Sequence, residues 1–461
     1  SEVGHPGTGR CFLPERGGLG GRMDRKRLLK IAVATLGCKT NQSDAASLKS
    51  ELVFQGHEIV PFQDSADVCI IHTCTVTQKA DYQSRQLIRH AIAKNPEARV
   101  VVTGCYAQVS PESLLAIPGV DFVVGVSERE KIPEIVALKT KLKEARLLSS
   151  PVEERRFFEE GRLPLFADRT RAYLKVQDGC NSFCSYCIVP YARGGNRSLP
   201  LGRVILQARA FASQGFKEIV LTGIHLGTYG EDLVPAHSLG QLLQELERES
   251  LDMRMRLSSI EPGEFHSQLI HFLATSKKVC PHLHIPLQSG DDGILRRMNR
   301  NYSRSFFEDL VNRLIQAIPD LAIGVDVISG FPGEDEKGFQ NTVDLIEKLP
   351  IAYLHVFPFS RRKRTPAGSF PQQVPPQVIK GRCQILRELG AKKRMIFYGA
   401  FLGQKVKILV ESKKDPESGM LKGYSPNYIP VLIRAGDEHI NQELEVEVTE
   451  VRGKKVFGKI L

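Results

Sequence analysis

The sequence predicts an α/β chain in three parts: an open parallel-sheet N-terminal domain, a partial (β/α)6 barrel and a small all-β C-terminal barrel. Three observations carry this reading. Between residues 30 and 137, short β-branched runs alternate with helix-like stretches, the pattern of an open, mostly parallel sheet. A second alternation, of six βα units, runs from AYLKV (172–176) to IAYLHVFPFS (351–360). From Gly403 onward the runs are short and alternating, separated by Gly, Pro, Asn and Asp, as in a small antiparallel barrel. A chain of 461 residues suits about three domains of ~150 residues.

Residues 1–29 are rich in Gly, Pro and Arg and show no periodicity, so a disordered leader or extension is expected there. At 42% hydrophobic and 25% charged residues, the rest is not the composition of a disordered chain. No apolar run approaches the ~18 residues of a membrane span, and the start lacks an apolar signal region. The cytoplasm is the expected compartment. Ten cysteines in such a chain point to metal or redox chemistry before a disulfide framework.

The expected first domain spans 30–140. KIAVATLG (30–37), DVCIIHT (67–73), RVVVTG (99–104) and DFVVG (121–125) read as strands, and NQSDAASLKSELVFQG (41–56) as a helix with Leu48, Leu52 and Val53 on one face. Cys38, Cys74 and Cys105 each follow one of these strands. Loops beyond the carboxyl ends of parallel strands converge, so the three thiols are candidate ligands of one centre. They also read as small buried thiols, a description that fits Cys69 well.

Residues 141–168 read as a charged linker without a clear strand, and 169–397 as the partial barrel. The loop after its first strand, QDGCNSFCSYC, holds Cys180, Cys184 and Cys187 as C-x3-C-x2-C. Three such thiolates hold three irons of a 4Fe–4S cube and leave the fourth open. Zinc would want a fourth ligand, and no partner pair lies nearby. The remaining strand candidates are EIVLTG (218–223), MRLSSIEP (255–262), HLHIPLQSG (282–290) and AIGVDVISGFPGE (322–334). Polar residues at carboxyl strand ends face the site in parallel barrels. Gly223, Ser259, Glu261, Gln288, Ser289, Asp326, Ser329 and Phe357 are therefore expected to face a site at that end of the barrel, although each also reads as a loop residue closing a strand. GFPGE (330–334) lacks the spacing and Lys of a phosphate loop and reads as a tight turn.

The tail, 398–461, contains Tyr424 and Tyr428 in KGYSPNYIP, placed either to stack on bases or to pack the barrel rim. The net charge of +11 falls on residues 361–407, which hold twelve Lys and Arg against one acid, Glu388. Such a block suits a polyanion, a membrane surface or an acidic protein; the alternative is a solvated helical face. The candidate contacts to such a partner are Arg361, Arg362, Lys363, Arg364, Lys392, Lys393 and Arg394.

C-x3-C-x2-C after a first strand, with Tyr186 before the last cysteine, resembles the radical S-adenosylmethionine (SAM) enzymes. Over residues 30–461 the parts together resemble the methylthiotransferases, with their three-cysteine N-terminal domain, radical SAM barrel and C-terminal TRAM domain. The wording is closest to the tRNA N6-threonylcarbamoyladenosine methylthiotransferases: TLGCKTNQSD, HTCTVTQKADYQSRQLIRHA, TGCYAQ, QDGCNSFCSYCIVPYARG, EIVLTGIHLGTYGEDL, RLSSIEP and LHVFPFS. The isopentenyladenosine branch reads Y-G-C-Q-M-N at the first cysteine and the ribosomal-protein branch L-G-C-P-K-N, so the branch rests on Lys39, Thr40 and residues 72–90.

The resemblance implies two 4Fe–4S clusters, with Cys180, Cys184 and Cys187 holding the radical cluster and Cys38, Cys74 and Cys105 the auxiliary one. It makes Tyr186 and the strand-end residues candidates for lining the SAM site. It also implies sulfur carried or relayed by the auxiliary cluster, one SAM methylating that sulfur and another supplying a radical that activates C2 of an adenine next to the anticodon. The implied partners are a tRNA anticodon arm, a reductant protein and a sulfur donor. The alternatives are the same chemistry on isopentenyladenosine tRNA or on a protein side chain, and a non-catalytic iron–sulfur RNA-binding protein. The chain departs from the family at Ser360–Pro366, SRRKRTP, where a Pro and a Gly are usual, and at Asn196.

Overall fold

The computed structural model describes residues 28–461 except 139, 165 and 167–169. The expected leader lies almost entirely outside the described residues, as does Cys11.

The N-terminal sheet is parallel and six-stranded, with Lys30–Thr35, Val68–Thr73 and Arg99–Gly104 at its centre. Val68–Thr73 and Arg99–Gly104 are buried along their whole length, which explains their unbroken apolar and β-branched runs. Apolar clusters cover both faces. The helix Gln78–Lys94 starts where Thr77 accepts a bond from the Ala80 N–H at 3.1 Å, a cap worth about 1 kcal/mol. Two edge strands were not expected. Glu58–Val60 pairs with Lys30–Thr35, and Arg146–Leu148 pairs with Phe122–Val124. The second lies in the expected linker, so the absence of a strand there is corrected. Three partly exposed residues are too few to show an alternation.

The barrel has the six expected strands: Arg171–Lys175, Glu218–Thr222, Arg254–Leu257, His282–His284, Ala322–Ser329 and Tyr353–Pro358. They form two parallel three-stranded sheets, joined by a bridge between Met255 and Val279. The pairing Gln177–Asp178 with Arg197–Ser198 clamps the base of the loop that carries Cys180, Cys184 and Cys187.

The helix Pro376–Gly399 packs on Tyr353–Pro358 and leads to a closed five-stranded barrel. Leu421–Tyr424 supplies one of its strands. Among the described residues no helix is long and apolar enough to cross a membrane.

Candidate active site

Cys38 caps the helix Lys39–Phe54, Cys74 follows Val68–Thr73, and Cys105 opens the helix Cys105–Val109. The fold brings them together. Gly37 lies so close to Cys74 that a Cβ there would stand 3.0 Å from its Sγ. The Cys105 thiol lies 3.8 Å from Asn41 Oδ1, and Asn41 donates to the carbonyls of Leu36 and Thr73 at 2.9 and 3.1 Å. Burial, with Cys105 and Cys38 beside it, pushes the Cys74 thiol up to about 12. Gly104 takes a left-handed conformation with φ 98°, and a Cβ there would meet the Thr73 carbonyl at 2.4 Å, so the turn into Cys105 requires glycine.

The second triad sits on its clamped loop. Burial and the adjacent Cys184 push Cys187 up to about 12. Cys180 differs: Nδ1 of His225 lies 3.4 Å from its Sγ, and the Ser182 N–H donates to it at 3.4 Å. These contacts outweigh burial and lower its thiol. His225 also pairs with Glu264, so despite burial it is held up at about 10. Arg300 donates to Cys184 Sγ at 3.3 Å and pairs with Glu261.

Two short helices join the triads. Cys105 and Val109 pack on Ile188 and Ala192. Arg193, 1% exposed, donates to Asn41 at 2.6 Å, to Asp44 at 3.0 Å and to Asp178 at 2.8 Å. Arg129 and Lys175 also pair with Asp44, at 2.7 and 2.5 Å. Burial would raise both carboxylates, but these cations hold them well below the usual range.

A cavity of about 190 Å³ lies beside Cys187. Tyr186, Gln288, Asp326 and Phe357 line it together with Val76 and Thr77, from just beyond Cys74. Asp326 accepts from His284 Nε2 at 2.8 Å and lies 3.2 Å from His355 Nδ1. The remaining expected lining residues stand apart from this cavity. Glu261 reaches the cysteine loop only through Arg300, Gly223 packs against Gln177, Ser259 is half-buried, Ser289 faces Thr342, and Ser329 is buried.

The donor set favours clusters over single ions. Among the described residues, the one group of three such donor atoms all within 4.8 Å is His284, Asp326 and His355. Neither cysteine triad closes to that spacing. A single tetrahedral zinc ion with thiolate bonds near 2.3 Å would draw its sulfurs to about 4 Å, whereas a cube holds them further apart.

The basic block divides. Arg361, Lys363, Arg364 and Lys392 are exposed. Arg362 is a correction: it is 7% exposed, pairs with Asp81 at 2.7 Å and also bonds Thr75, so no phosphate reaches it. With Gln78 bonding Ser360 at 2.9 Å, it ties the departing 360–366 loop to the N-terminal domain. Lys393 is half-buried and donates to the carbonyls of Glu347 and Leu349 at 2.6 and 2.8 Å. Arg394 lines a cleft between the barrel and the C-terminal domain. Tyr424 and Tyr428 stack on each other at 5.0 Å. Arg171 lies over both rings and Arg256 over Tyr428, so packing describes their role. Asn196 accepts from Gln177 at 2.6 Å and donates to the Thr228 carbonyl at 3.0 Å.

Comparison with known proteins agrees with this architecture. Residues 30–125 match the uncharacterized protein family UPF0004, 174–346 the radical SAM superfamily and 399–461 the TRAM domain. The chain is 41% identical over 421 residues to the threonylcarbamoyladenosine tRNA methylthiotransferase MtaB of Bacillus subtilis (strain 168), covering 91% of this chain and 93% of that one. It is 31% identical over 440 residues to a tRNA-2-methylthio-N(6)-dimethylallyladenosine synthase of Fusobacterium nucleatum, covering 94% and 100%. In fold it resembles the radical SAM methyltransferase TsrM of Kitasatospora setae, with a TM-score of 0.56 at 16% identity, covering 74% of this chain and 77% of that one. The chain belongs to the radical S-adenosylmethionine methylthiotransferase family.

Proposed function

We propose that the chain adds a methylthio group to C2 of N6-threonylcarbamoyladenosine next to the anticodon of tRNA. The observation that carries the reading is the junction of two cysteine triads at one cavity: Cys187 lines it directly, and Val76 and Thr77 follow Cys74 into it. The relatives named for this substrate support it, at 34–41% identity over most of the chain.

Cys180, Cys184 and Cys187 would hold one 4Fe–4S cluster, and Cys38, Cys74 and Cys105 a second. The clusters and SAM supply radical generation and sulfur delivery. The chain's own residues position this chemistry. His225 and Ser182 fix Cys180, Arg300 donates to Cys184, and Arg193 locks the two loops at a set separation. Burial of the Cys74 and Cys187 thiols favours their protonated forms, so iron binding there would release protons. Tyr186 and Phe357 line the cavity. The exposed Arg361, Lys363, Arg364 and Lys392 would position the anticodon arm through phosphates while the cavity selects the base. The cytoplasm, where tRNA is modified, is the compartment that fits.

The test is nucleoside mass spectrometry of tRNA from cells with and without the gene. Loss of 2-methylthio-N6-threonylcarbamoyladenosine supports the reading; an unchanged nucleoside profile refutes it.

A further inference from the structure

Three neighbouring strands of the barrel each turn a metal-ligating side chain to the same place. Asp326 and His355 are direct partners across Ala322–Ser329 and Tyr353–Pro358, and His284 pairs with Gly324, two residues before Asp326. Side chains two apart share a face, so all three project from one face of this sheet. Asp326 Oδ1 lies 2.8 Å from His284 Nε2 and 3.2 Å from His355 Nδ1, and the three donor atoms all fall within 4.8 Å of one another. Zinc bonds of about 2.0–2.1 Å to nitrogen and oxygen, arranged as a tetrahedron, set neighbouring ligand atoms about 3.3 Å apart. The two measured spacings are already close to those around a bound ion.

The surroundings are built to hold these ligands. Gly324 leaves its place to Tyr353, whose ring would meet a Cβ there at 2.1 Å. Tyr353 Oη lies 3.2 Å from His284 Nδ1 and 2.8 Å from His282 Nε2. A hydrogen bond of this kind, on the second ring nitrogen, orients a ligating imidazole. Burial would raise the Asp326 carboxyl, but the two imidazoles hold it below its ordinary value, so it is an anionic ligand. His284 is buried, Asp326 half-buried and His355 exposed. Asp326 lines the cavity beside Cys187, and His355 lines the cleft against the C-terminal domain, which gives an ion a path in.

We propose that His284, Asp326 and His355 form a mononuclear site for a divalent first-row cation, separate from both cysteine triads. Two imidazoles and one carboxylate with an open position suit zinc or iron(II). The ion takes the place of the protons that join the three side chains in the metal-free chain, and those protons leave to solvent. The site stands independently of which nucleoside the enzyme modifies.

The test uses the anaerobically reconstituted full chain, with its cysteines occupied by iron, and Zn2+ as the probe. Zinc and iron are counted together by mass spectrometry after equilibrium dialysis, and X-ray absorption at the zinc edge reads the neighbouring atoms. The wild type is expected to bind about one zinc per chain, with nitrogen and oxygen neighbours at about 2.0–2.1 Å and no sulfur at about 2.3 Å. Losing an outer hydrogen-bond partner costs about tenfold to a hundredfold in metal affinity. Tyr353→Phe is expected to fall in that range, and His355→Ala, which removes a ligand, beyond it, with iron content unchanged in both. The wild-type spectrum decides without any variant: no bound zinc, or zinc with sulfur neighbours, overturns the proposal. Zinc held equally by wild type and His355→Ala is an adventitious ion only and also overturns it.

Discussion

Replacing Arg193 by Met is expected to loosen the junction between the two cysteine loops. Arg193 is buried and gives charge-assisted bonds to Asn41, Asp44 and Asp178, at 2.6, 3.0 and 2.8 Å. Removing one partner of a buried ion pair costs about 3–5 kcal/mol. The lower end applies here because Asp44 keeps Arg129 and Lys175, and Asp178 keeps Lys175 at 3.3 Å and Arg197 at 3.9 Å. About 3 kcal/mol corresponds to roughly a hundredfold in a local opening equilibrium. Native-state amide exchange, read by mass spectrometry on peptides covering Lys39–Phe54 and Cys105–Val109, measures it. Exchange in the C-terminal barrel serves as the internal control. Protection within tenfold of wild type in both peptides would refute the assignment of Arg193 as the lock.

Neutralising Arg361, Lys363 and Arg364 together should weaken tRNA binding and lower its salt slope by about 2, the share of three phosphate contacts on single-stranded RNA. Arg362→Gln should instead release the 360–366 loop and raise its amide exchange, with an unchanged salt slope. Cys184→Ala should abolish SAM cleavage, whereas Cys74→Ala should keep much of it and lose methylthio transfer; equal loss of both activities in the two variants contradicts that division. Glu218 is held down at about 2 because Arg256, Arg254 and Arg171 outweigh the effect of burial. Its contribution is fully present above the ordinary value of 4.5 and is lost as pH falls from there through about 2. Amide exchange in residues 405–460 should rise more steeply over that window in wild type than in Glu218→Gln, and parallel profiles would contradict it.

The three-part fold is legible because its strands are either wholly buried, like VCIIHT and RVVVTG, or regularly alternating, like ELEVEVTEV. Arg146–Leu148 and Glu58–Val60 are not legible, since a three-residue edge strand owes its existence to a neighbour's open hydrogen bonds rather than to its own pattern. The cysteine loops can be found because C-x3-C-x2-C is local and the other three thiols share a place after a strand. Arg193 cannot. At the end of a five-residue helix it resembles any surface arginine, and only closure of the N-terminal domain onto the barrel buries it. His225 and Arg300 act on cysteines 45 and 116 residues away, a separation without a sequence signal. Arg362 misled for the opposite reason: charge alone grouped it with exposed neighbours, while Asp81 on a distant helix had claimed it.

The central claim, two iron–sulfur centres meeting at one cavity, is tested most directly by counting iron in the anaerobically reconstituted chain. The wild type should hold about eight irons, and the triple alanine variants at Cys38/Cys74/Cys105 and at Cys180/Cys184/Cys187 about four each, as two cubes require. Four irons in the wild type, lost entirely in one variant and unchanged in the other, would contradict it.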